Sequence, residues 1–75
     1  MERMAIFQDR LLVVRRHRGL SQEQLAEKTG LFPTDISKYE RGISMPTLPR
    51  LVRLARALEV SADYLLGLSD KETIP

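Results

Sequence analysis

The sequence predicts an all-α fold of five helices, and three observations carry that expectation. Apolar residues recur at intervals of three and four along most of the chain. No stretch of strand length alternates apolar and polar residues with a period of two. Gly, Ser and Pro fall at the ends of the apolar stripes, where helices are capped and broken.

Size narrows the architecture. The chain has 75 residues, 43% of them hydrophobic, with no Cys and no Trp, which is room for one small domain. A domain of this size buries only about 60% of its unfolded surface. Without disulfide staples it depends on compact local packing, which helices supply, or on a partner subunit. The missing Cys also removes thiolate zinc sites and Cys nucleophiles, and fits a reducing cytosol. The longest apolar runs, such as Leu11 to Val14, are far below the roughly 20 residues that span a bilayer. The N-terminal MERMAIFQDR carries acids where a signal peptide needs an apolar stretch. The expectation is a soluble cytoplasmic protein without a membrane partner.

The first helix is expected over about residues 5–18, because Phe7, Leu11 and Val14 form one stripe and Gly19 follows it. Arg15, Arg16 and Arg18 in its last turn suit the negative end of the helix dipole. Ser21 and Gln24 then form a capping box, bracketed by Leu20 and Leu25 as a hydrophobic staple, so the second helix covers about 22–29 and stops at Gly30. Pro33 fits the first position of the third helix, about 33–41, with Ile36 and Tyr39 inward. Thr34, Asp35, Ser37, Lys38 and Arg41 make its polar face. Residues 43–46 read as a loop. Thr47 is placed to cap the fourth helix, whose inward stripe is Leu48, Leu51, Leu54, Ala55 and Leu58 while Arg50, Arg53 and Arg56 point out. Ser61 caps a short fifth helix that buries Leu65 and Leu66, with Val60 and Leu65 as its staple and Gly67 as its end. This divides the chain into a domain over 1–67 and a C-terminal tail over 68–75.

Charge is unevenly distributed. From Arg10 to Arg56 ten Lys or Arg face four acids, a balance of +6, whereas residues 57–75 hold one base and four acids. The central field is what a polyanion-binding surface requires, although on charge alone a solvated, salt-bridged surface is the more common reading for an average domain. His17 stands alone, with no second ligand at metal spacing, and reads as a surface histidine. There is no Gly-rich phosphate loop and no nucleophile with a base, so neither an enzyme nor a cofactor or small-molecule ligand is expected.

The informative spacing is Ala26, Gly30 and Ile36. A small residue lets two helices cross closely, the glycine permits the positive φ of a sharp turn, and the isoleucine fills the crossing. Together they describe a helix-turn-helix over about residues 22–41. With GLSQEQLAEKTG, ISKYERG and PTLPRLVRLARALEVSADYL in this order, residues 7–67 resemble the phage-repressor and Cro-type helix-turn-helix family, also called Xre-like.

The resemblance implies a lambda-repressor-like domain that binds double-stranded DNA as a homodimer. Such a regulator, usually a repressor, reads a palindromic operator with its third helix. By the same resemblance Gln22 contacts the DNA backbone and braces the recognition helix. Thr34, Asp35 and Lys38 fall on base-reading positions: Lys38 can donate to guanine, the Thr34 methyl can touch a thymine methyl, and Asp35 can accept from cytosine. Asp35 has an equal alternative as a cap of its own helix. Ser37 and Arg41 lie where family members approach phosphates, with Ser44 and Thr47 as weaker backbone contacts. Arg15 and Glu40 match a largely buried structural salt bridge. Phe32 stands where the family usually has Ser or Thr, and is expected to pack against the second helix, with a thymine methyl as the alternative. Leu12, Val13, Leu65, Leu66 and Leu68 are either a dimer patch or ordinary surface. The rival readings are an antitoxin or restriction-modification controller on the same fold, with a toxin partner, and an interaction module that has lost DNA binding. A contact with RNA polymerase is a further option for a surface acid.

Overall fold

In a computed structural model, residues 3–72 are described, with side chains from Ile6 onward. Residues 1–2 and 73–75, the outermost parts of the expected domain and tail, lie outside the described residues. The elements are α1 (Arg3–His17), α2 (Gln22–Thr29), α3 (Pro33–Glu40), α4 (Leu48–Leu58) and α5 (Ala62–Leu65). Helix α1 starts two residues earlier than the stripe predicts, and Arg41 is the C-cap of α3 rather than its last turn.

Local sequence accounts for most boundaries. The Ser21 hydroxyl accepts from the Gln24 N–H at 3.0 Å and the Gln24 side chain accepts from the Ser21 N–H at 2.8 Å, closing the capping box at the start of α2. Gly30 ends α2 at φ 72, ψ 20, and its N–H donates to the Ala26 carbonyl. The Ser61 hydroxyl caps α5 by accepting from the Tyr64 N–H at 3.0 Å. One cap differs from expectation and another uses an unusual residue. Thr47 occupies the N-cap of α4 but makes no capping hydrogen bond. Helix α4 ends on Glu59, which holds the left-handed conformation at φ 59, ψ 41, a role usually given to glycine.

The core is one cluster. Phe7, Leu11 and Val14 of α1 meet Leu25 and Ala26 of α2, Ile36 and Tyr39 of α3, and Leu51, Leu54, Ala55 and Leu58 of α4. Val60, between α4 and α5, and Leu65 of α5 close it. The Phe7 and Tyr39 rings meet edge to face, with centroids 6.4 Å apart. Helix α3 packs on both α2 and α1, so its inner side is fixed from two directions and its outer side stays open. Leu48 departs from the predicted inward stripe: it is 73% exposed, because burial on α4 begins one turn later at Leu51, where the helix packs on α2 and α5. Leu66 is half-buried rather than buried.

Residues 68–72, expected as a tail, are hydrogen-bonded back onto the domain. Arg10 donates to the carbonyls of Tyr64 at 2.6 Å and Ser69 at 2.8 Å, and its guanidinium lies 4.2 Å from the Tyr64 ring centroid. The Ser61 N–H donates to the Glu72 carbonyl at 2.6 Å. No single residue in that polar segment signals this docking, since its anchor is an arginine about 60 positions away. Among the described residues no helix is long and apolar enough to cross a membrane.

Candidate nucleic-acid interface

Helix α3 turns at 100° per residue, which puts Thr34, Ser37, Lys38 and Arg41 on one side and Ile36, Tyr39 and Glu40 on the other. Burial follows that division. Ile36, Tyr39 and Glu40 are buried, whereas Thr34, Lys38 and Arg41 are exposed and Ser37 is half-buried. The outer stripe carries two cations and two hydroxyls and no acid. Arg41 Nε donates to the Ser37 hydroxyl at 3.1 Å, which holds the guanidinium along the helix rather than free in solvent.

The buried side of α3 is anchored by a polar network. Arg15 Nε donates to Glu40 Oε2 at 2.5 Å and Arg15 Nη2 to Oε1 at 3.0 Å, a two-point pairing that matches guanidinium to carboxylate geometry. Arg15 Nη1 donates to the Leu20 carbonyl at 2.8 Å, so one side chain ties the end of α1, the following turn and the end of α3. Gln22 Nε2 adds a hydrogen bond to Glu40 Oε1 at 3.0 Å. Gln22 therefore braces α3 from the first position of α2 and remains half-buried at the surface beside it. No buried side-chain polar atom among the described residues lacks a partner.

Asp35 lies on the flank of α3, between the outer stripe and Tyr39. Its Oδ2 accepts from the Phe32 N–H at 3.0 Å, and its Oδ1 is 3.7 Å from Arg50 Nη1. Both oxygens thus have partners within the fold, as the capping alternative requires. Arg50 also donates to the Tyr39 hydroxyl at 3.1 Å. That hydrogen bond first, and Asp35 more weakly, raise the Arg50 pKa above its ordinary value.

Phe32 corrects the expectation of packing. Its ring is 73% exposed at the N-cap of α3, so it covers nothing in α2, and the helix start is satisfied instead by Pro33 and by Asp35 reaching back to the Phe32 N–H. Ser44 is half-buried in the loop after α3 and Thr47 is exposed at the start of α4, outside the α3 stripe in sequence. Gly42, at the bend just after α3, holds φ 72, a conformation that strains any side chain, and a Cβ there would also displace the Gln8 carboxamide.

Four arginines read from sequence as part of a basic surface are committed to the fold. Arg10 holds the C-terminal segment, Arg18 donates to the Leu58 carbonyl at 2.8 Å, Arg50 holds Tyr39, and Arg53 lies 3.4 Å from the Thr29 carbonyl. Three of these, Arg10, Arg18 and Arg53, reach carbonyls in the last turn of a helix, where orphan carbonyls and the dipole favour a cation. On α4, Arg50 reaches Tyr39 of α3 and Arg53 reaches Thr29 of α2, although the period of the helix places both on its outward side. His17 is exposed, and among the described residues no group of three His, Cys, Asp or Glu is placed to hold a metal ion.

A short α2, a tight glycine turn and an α3 with an open outer stripe are the geometry of a helix-turn-helix, and a family model of that description matches residues 13–65. The chain belongs to the helix-turn-helix family. Within it, the chain is 46% identical over 61 residues to the uncharacterized HTH-type transcriptional regulator YobD of Bacillus subtilis, across 81% of this chain and 54% of that one. It is 41% identical over 59 residues to the cryptic phage CTXphi transcriptional repressor RstR of Vibrio cholerae, across 79% of this chain and 53% of the relative. The chain spans about half the length of these curated relatives. Its fold is that of the P22 c2 repressor, solved in complex with a synthetic operator, with a TM-score of 0.81 and 30% identity over 84% of this chain and 96% of the other. The architecture is thus the lambda-repressor-like five-helix domain that the sequence motifs imply.

Proposed function

We propose that this chain is a sequence-specific double-stranded DNA-binding transcriptional regulator, acting as a repressor in the cytoplasm, that reads a palindromic operator as a homodimer through α3. The observation that carries this reading is the outer stripe of α3. Thr34, Lys38 and Arg41 repeat at i, i+4 and i+7 on a helix whose opposite side is locked by Arg15, Glu40 and Gln22. A recognition helix needs both properties, because base discrimination depends on donors held in register against the groove floor.

The roles divide by chemistry. Lys38 donates to guanine O6 or N7 and the Thr34 methyl meets a thymine methyl. Arg41, oriented by Ser37, contacts a phosphate, with Ser37, Gln22, Ser44 and Thr47 as further backbone contacts. Asp35 stays with the fold, since its partners are Phe32 and Arg50. The relatives named as a transcriptional regulator and a phage repressor, and the operator in the P22 c2 complex, support the reading. Two copies of α3 would enter successive major grooves about 34 Å apart. Repression then follows from occupancy of a site that polymerase needs.

The test is selection of bound duplexes from a random-sequence pool at about 0.15 M salt, where non-specific phosphate binding is partly suppressed. An enriched palindrome with half-sites about one helical turn apart supports the reading. Binding without enrichment removes sequence specificity, and absence of binding leaves a fold used as a protein-interaction module.

A further inference from the structure

Phe32 is the residue at the start of α3 whose placement the fold does not explain. The N-cap position favours Ser, Thr, Asp or Asn, whose side chains accept a helix N–H, and phenylalanine forgoes that bond. Its ring is also 73% exposed, so the chain gains no core packing in exchange. Its backbone, by contrast, is held: Asp35 accepts from the Phe32 N–H at 3.0 Å, and Pro33 follows with its restricted φ. A large ring on a fixed backbone at the leading end of α3 is a presented group.

Its surroundings define what it is presented to. Phe32, Pro33 and Thr34 are consecutive and all exposed at the start of α3, and Lys38, one turn on from Thr34, is exposed as well. When a recognition helix lies in the major groove, its N-terminal residues meet the base edges. The groove offers one apolar feature, the C5 methyl of thymine. Resting on the DNA-reading function above, we propose that Phe32 is a specificity-determining residue that packs its ring on a thymine methyl and selects thymine at one position of each half-site.

The experiment uses the full chain and the duplex enriched from the random pool, resynthesised with deoxyuridine in place of each thymine in turn, which removes the methyl and leaves the hydrogen-bonding edge unchanged. Loss of one buried methyl-sized group should weaken wild-type binding about fourfold at the contacted step. Phe32→Ala should bind the thymine and deoxyuridine forms of that step equally, and Phe32→Leu should keep most of the discrimination. Because the side chain is exposed, both variants should melt near the wild type, which separates lost reading from lost folding. A methyl dependence absent at every thymine, or retained in full by Phe32→Ala, overturns the Phe32 contact while the regulator reading stands. A pool with no enriched duplex overturns that reading itself, and the thymine contact with it.

Discussion

Arg15 and Glu40, 25 residues apart in sequence, meet in a two-point clasp with side chains 9% and 4% exposed, and this clasp joins the end of α1 to the end of α3. Breaking such a pair strands a buried charge, which costs about 3–5 kcal/mol, a large part of the total for a domain this small. Glu40→Ala should therefore lower the melting temperature strongly, since about 1 kcal/mol shifts a domain of this size by about 4–8 °C. An unchanged melt combined with weakened DNA binding would move Glu40 from the scaffold to the interface.

Lys38 and Arg41 share the outer stripe of α3 but should fail differently. Lys38→Ala should relax preference at one base position by about 1–3 kcal/mol, whereas Arg41→Ala should weaken binding to all sequences and lower the salt slope by about one. The comparison is read from titrations against single-base variants of the selected duplex at several salt concentrations. A uniform loss for Lys38→Ala would exclude it from base readout.

Glu59 closes α4 in the left-handed conformation, where a side chain costs about 1–2 kcal/mol and glycine costs little. Its side chain is exposed, and the backbone contact from Arg18 uses only its carbonyl. Glu59→Gly should stabilise the domain by about 0.5–1 kcal/mol after the extra freedom of glycine in the unfolded chain is subtracted. A lower melting temperature for this variant would mean that the Glu59 side chain contributes more than its exposure indicates.

Arg10, seated on the Tyr64 ring and carbonyl, fastens residues 68–72 through the Ser69 carbonyl and the Asp70 carboxylate. Arg10→Ala should cost about 1–2 kcal/mol. It should also release the segment, so the Ser61 amide, which donates to Glu72 at 2.6 Å, loses protection in hydrogen exchange while the Leu54 amide in mid-α4 loses far less. Equal protection of Ser61 in the variant and the wild type would show that the segment holds itself without Arg10.

The sequence by itself determined the five helices, the caps at Ser21, Gly30 and Ser61, the core stripe through Phe7, Leu11 and Val14, and the polar side of α3. Those features depend on φ, ψ and on side chains within about four positions, and a reader of the chain has all of that information. The tertiary structure decided the destiny of groups whose partners lie far along the chain. Arginines of one type and similar local setting divide between Arg41 on the open stripe and Arg10, Arg18 and Arg53 at distant carbonyls. Local sequence leaves Asp35 between base reading and capping, and the fold supplies partners for both its oxygens at Phe32 and at Arg50 of α4. Local sequence also gives Phe32 a packing role, whereas the crossing of α2 and α3 leaves its side chain exposed. Periodicity names the side of a helix a residue occupies, whereas the element that faces that side is set only when all the helices are placed against one core.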